Sequence, residues 1–94
     1  MSASAHIAQE TEAEIRAEER QLLKADADIS AGRIRLAGQQ RLLAGLAASS
    51  PALHEAERLS TLLQDNLVVW ERHRALIVQR LTYLHERRRR EAQA

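Results

Sequence analysis

Two ladders of apolar residues, each climbing seven positions at a step, constrain this chain more than any other feature. Ala8, Ile15, Leu22, Ile29, Leu36 and Leu43 form the first; Ala56, Leu63, Trp70, Ile77 and Leu84 form the second. Between them lies Ser49-Ser50-Pro51. A seven-residue apolar repeat keeps one stripe of a gently supercoiled helix turned toward a partner helix. The chain therefore reads as all-α, an antiparallel two-helix hairpin with coiled-coil-like packing. No run alternates apolar and polar residues, and the one β-favouring triplet, Leu67-Val68-Val69, sits within helical spacing.

Local signals place the boundaries of a single domain over 1–94. Residues 1–10 are small and polar and are expected to fray. Thr11-Glu12-Ala13-Glu14 fits a capping box, Thr11 as N-cap and Glu14 reaching back; a start near Ser4 is the alternative, because Ala8 continues the ladder. The first helix is expected over about 11–47, the turn over 48–51 and the second helix over about 51–90. Ser50 suits an N-cap and Pro51 the first helical position, where its missing N–H is no loss. So short a connection makes the helices antiparallel neighbours. Gly32, Gly38 and Gly45 interrupt the first helix, at a cost of about 1 kcal/mol each relative to alanine. Two explanations stand open: close approach of a neighbouring backbone at Ala25 and Gly32, or a break between Asp28 and Gly32.

The second helix carries more apolar surface than one partner can cover. Its first seam is Leu63, Leu67, Trp70, Ile77, Leu81 and Leu84, interrupted at Arg74. A second seam, Leu59, Leu62, Val69, Leu76 and Tyr83, lies about 100° round the helix. Asn66, His73 and Arg80 recur at seven-residue spacing within it, where a polar side chain either fixes register or simply meets water. The first helix adds only a weak flank at Leu23, Ala27 and Ile34. One helix covers one seam, so the second seam asks for another chain, and a homodimer forming a four-helix bundle is the expected assembly. The residues expected to build the core and dimer seams are Ile15, Leu22, Ile29, Leu36, Leu43, Leu62, Leu63, Leu67, Val69, Trp70, Leu76, Ile77, Leu81 and Leu84.

The residue types argue against chemistry. The chain has no cysteine, so disulfides and thiolate metal sites drop out. Its four histidines, His6, His54, His73 and His85, never fall three or four apart as ligands on one helix face would. No serine nucleophile has a plausible base, and no glycine-rich loop joins a strand to a helix. No enzymatic activity, cofactor or metal is expected. The start of the chain has neither a basic nor an apolar run of the kind a signal peptide shows, and no apolar stretch approaches the roughly 18 residues of a membrane span. A cytoplasmic protein is the expectation.

Charge is balanced overall, with 14 Lys and Arg against 13 Asp and Glu, but it is segregated. Acids gather at Glu10, Glu12, Glu14, Glu18 and Glu19, and arginines at Arg87, Arg88, Arg89 and Arg90. The arginine run complements the negative end of a helix dipole, which needs no ligand. Contact with phosphates or an acidic partner is the alternative role.

One pattern spans most of the chain: Arg33-Ile34, Gln40, Leu42-Leu43 and Leu46, then Ala56, Leu62-Leu63, Leu67, Trp70, His73-Arg74 and Ile77. It resembles a group of small uncharacterised alpha-proteobacterial proteins, with a Ser-Ser-Pro turn here in place of their glycine-containing loop. The resemblance implies a helical hairpin and no particular activity. The expected function is a protein–protein interaction or scaffold module with itself, and with another protein, as partner. A small dimeric nucleic-acid-binding regulator is the runner-up.

Overall fold

The computed structural model describes residues 3–94; residues 1 and 2 of the segment expected to fray lie outside the described residues. Two helices, α1 (Ala3–Ala44) and α2 (Leu53–Gln93), pack side by side as a rod of 72 × 15 × 14 Å. At about 1.5 Å per residue each is roughly 60 Å long. Among the described residues there is no strand, and no helix is long and apolar enough to cross a membrane.

The α1 side of the interface alternates steps of three and four. Ala8, Thr11, Ile15, Glu18, Leu22, Ala25, Ile29, Gly32, Leu36, Gln39 and Leu43 are all buried or half-buried, while most residues between them are exposed. The seven-residue ladder supplies every other member. Its interleaved partners are small or polar, which lets α2 come close. On α2 the facing row is Ala56, Ser60, Leu63, Leu67, Trp70, Arg74, Ile77, Leu81 and Leu84, likewise buried or half-buried. Ile15 and Leu84 are the best shielded apolar side chains, and with Ala25, Ile77, Leu81 and flanking Leu22 they form the densest core, in the half of the rod away from the turn.

Several boundaries differ from those the sequence signals suggest. α1 begins at Ala3, close to the alternative start near Ser4 rather than near residue 11. Thr11 caps nothing; it is a fully buried core residue in mid-helix, and its hydroxyl is spent on side-chain contacts described below. α1 ends at Ala44, and α2 begins at Leu53 and runs on to Gln93, past residue 90. Ser50 and Pro51 belong to the connection rather than to the first turn of α2. The N-cap is Ala52, with no side-chain cap bond, and Ser50 Oγ instead accepts the Ala52 N–H at 3.2 Å.

The glycine question resolves against a break, and what approaches Gly32 is side chain rather than the neighbouring backbone. α1 is continuous through Gly32 and Gly38. A Cβ added at Gly32 would stand 2.9 Å from Trp70 Cζ3 and 3.0 Å from Leu67 Cδ2, so the indole ring occupies the space a side chain would need. Arg35, one turn further, places its guanidinium 5.9 Å from the centre of the same ring. At Gly38 the space is open.

Candidate interaction surface

Once the two core rows face each other, the second seam of α2 has no partner. Leu59, Leu62, Val69, Leu76 and Tyr83 are between 46% and 63% exposed, on a helix whose inward row is almost closed to solvent. Of the fourteen residues expected to build seams, Leu62, Val69 and Leu76 are therefore the ones that the hairpin alone does not bury. Ile15, Ile29, Leu67, Ile77, Leu81 and Leu84 are buried, and Leu22, Leu36, Leu43, Leu63 and Trp70 are half-buried. Asn66, His73 and Arg80 also lie exposed along the unpaired seam, and Arg80 reaches back to Glu18 on α1 at 3.1 Å.

Near the turn this stripe merges with an open groove of about 410 Å³ lined by Gln39, Leu42, Leu46, Ala56, Leu59 and Leu62, among others. Gln39 donates its Nε2 hydrogen to the Ala56 carbonyl at 3.1 Å, tying the helices together at the groove floor. Another apolar pair stands elsewhere on α1: Leu23 and Ile34, 72% and 70% exposed. Ile34 borders a different recess, beside Glu71 and Arg74.

At the far end of the rod a polar layer closes the hairpin. The Thr11 hydroxyl accepts from Arg87 Nε at 3.1 Å and donates to Glu91 Oε1 at 2.8 Å, with the Ile7 carbonyl at 3.2 Å as the alternative acceptor. Arg87 donates a second hydrogen to Glu14 Oε2 at 2.7 Å. The second oxygen of Glu91, Oε2, is buried without a hydrogen-bond partner among the described residues. The Glu14 hydrogen bond holds the Arg87 guanidinium above its ordinary pKa, against the opposing effect of burial. A raised pKa means the folded state binds that proton more tightly. Its stabilising effect is therefore intact through neutral pH and lost only in strong alkali.

The arginine run is thus largely engaged within the chain. Arg88 pairs with Glu12 at 3.1 Å and Arg89 with Glu86. Arg90 alone of the four has no ion pair among the described residues. Upstream, Arg74 fills the gap in the core row by pairing with Asp26, and Arg33 of α1 pairs with Glu71 at 3.1 Å. The acids of one helix and the arginines of the other meet because they lie at similar distances from the turn.

No three His, Cys, Asp or Glu side chains converge as a metal ion would need, among the described residues. The chain matches no family model, no curated protein and no solved structure.

Proposed function

We propose that this chain is a non-enzymatic interaction module that works as a homodimer, two hairpins joining through the unpaired stripe of α2 into a four-helix bundle. The observation that carries the proposal is the exposure of Leu59, Leu62, Val69, Leu76 and Tyr83 along one face of a helix whose other apolar face is already used. Full burial of one large aliphatic side chain is worth about 1.5–3 kcal/mol, and a symmetric contact counts each residue twice. Contiguous apolar surface of this kind marks association sites on small proteins.

Light scattering tests the proposal. At micromolar concentration the expected mass is twice the 10.6 kDa of one chain. Leu76→Glu is expected to yield a helical monomer, and a wild-type monomer of full helicity would overturn the reading.

The nucleic-acid reading rests on Arg87 to Arg90 and draws less support. Three of these four guanidiniums are already held by carboxylates of the same chain, leaving few free charges to displace counterions from a phosphate backbone. Fluorescence anisotropy with a labelled duplex is expected to give no salt-dependent binding at micromolar protein.

A further inference from the structure

The exposed stripe of α2 has an order that specifies how a second copy sits on it. Positions 55, 62, 69, 76, 83 and 90 recur every seven residues on one face and read Glu55, Leu62, Val69, Leu76, Tyr83, Arg90. All six are exposed in the hairpin. The row is an acid, four apolar residues and a base, and its two charged ends carry little other commitment. Arg90 has no ion pair among the described residues, and Glu55 has only Arg58, one turn away at 3.4 Å and well exposed.

Taking the homodimer reading as its premise, we infer that the two α2 helices pair antiparallel about a twofold axis between positions 72 and 73. That axis sets Leu62 of one copy against Tyr83 of the other, Val69 against Leu76, and Glu55 against Arg90. Each contact occurs twice, so the apolar centre closes with an ion pair at both ends. A parallel pairing in register would instead set Glu55 on Glu55 and Arg90 on Arg90, two like-charge contacts with no compensation. Shifting the antiparallel axis by half a heptad would break the match of ends, setting Tyr83 opposite Glu55 in one direction and Leu62 opposite Arg90 in the other.

The flanks at the same axis are mixed: Leu59 falls opposite Glu86 and Arg72 opposite His73. Asp65, which has no ion pair within the hairpin among the described residues, falls opposite Arg80, already paired with Glu18 of its own chain, and Asn66 falls opposite Gln79. Arg58 falls opposite Arg87, a like-charge meeting that counts against the axis, although Arg87 is held by Glu14 of its own chain at 2.7 Å. The occupant of the stripe is thus a second copy of this chain, with its turn pointing the opposite way.

The chain contains no cysteine, so introduced thiols report proximity cleanly. Val69→Cys and Leu76→Cys are made separately, and each alone and their equimolar mixture are oxidised under identical conditions. The expected result is a mixed disulfide that forms at least about tenfold faster than either self-linked product, because only Val69 and Leu76 are brought face to face. Faster self-linking of Val69→Cys, in a protein that light scattering finds dimeric, would overturn the register and leave the homodimer standing. A monomeric protein with no specific cross-link would overturn both. A charge exchange gives a second reading without cysteine. Glu55→Arg is expected to raise the dimer Kd by about tenfold, since two rim ion pairs become two like-charge contacts of roughly 0.7 kcal/mol each. The double variant Glu55→Arg with Arg90→Glu is expected to restore it, and failure of that rescue counts against the register.

Discussion

Adding one methyl group at two glycines of the same helix should have opposite effects. Gly32 and Gly38 both lie inside α1, so alanine at either gains about 1 kcal/mol of helix propensity. At Gly38 nothing opposes the gain, because the nearest atom to the new Cβ is an Arg41 guanidinium nitrogen 4.0 Å away. At Gly32 the Cβ would sit 2.9 Å from the Trp70 ring and 3.0 Å from Leu67, inside van der Waals contact for both. Leu67 is buried and cannot retreat freely, and moving the indole would disturb its stacking under Arg35. Overpacking of this kind costs about 1–3 kcal/mol. Gly32→Ala should therefore destabilise by about 1 kcal/mol net, whereas Gly38→Ala should stabilise by about 1 kcal/mol. Urea unfolding followed by circular dichroism, at one fixed protein concentration, reads the difference as two midpoints displaced in opposite directions from wild type. Equal stabilisation by the two substitutions would mean that Trp70 is not seated on Gly32.

The remaining predictions concern the core, the polar layer and the tail. Leu84→Ala should lower unfolding stability by about 2–5 kcal/mol in the same urea assay, since the side chain is wholly shielded. Trp70→Ala should cost less than the ~3–5 kcal/mol of a fully buried ring, because the indole is only half-buried. Thr11→Val keeps the shape but leaves Arg87 and Glu91 each short of one bond. It should destabilise by about 1–3 kcal/mol, and a neutral result would deny the layer a structural role. Arg87→Gln should lower the melting temperature more than Arg89→Gln or Arg90→Gln, because Arg87 bonds across the helices while Arg89 bonds only within its own turn.

The hairpin was legible because its strongest signal is periodic. Every rung of the two ladders, from Ala8 to Leu43 and from Ala56 to Leu84, faces the opposite helix in a buried or half-buried position. The other half of the α1 row was harder to see. Thr11, Glu18, Ala25, Gly32 and Gln39 are small or polar, so a search for apolar residues passes over most of them, although they sit three positions after each rung. Thr11 was misplaced for a related reason. A threonine three residues before a glutamate has the form of a capping box, and only the facing Arg87 and Glu91 reveal that it is interior.

The arginine run was visible but its partners were not, since local spacing says nothing about what lies across a turn. Antiparallel geometry supplied the missing step: Glu14 with Arg87, Glu12 with Arg88 and Asp26 with Arg74 all pair at positions whose numbers sum to about 100. With the turn centred near residue 50, those pairings were open to arithmetic. The exposed seam was legible as a surplus, because five apolar residues at helical spacing exceeded what one partner helix could cover.

Hydroxyl-radical footprinting of the wild-type protein tests most directly whether a second copy covers that surplus. Side-chain oxidation is read residue by residue by mass spectrometry at a concentration where the dimer is full. Leu62, Leu76 and Tyr83 should be oxidised far more slowly than their exposure of more than half in the single hairpin would allow, while Leu23 and Ile34 react freely. Equal reactivity at all five positions would contradict the account, because it would leave the α2 stripe in water.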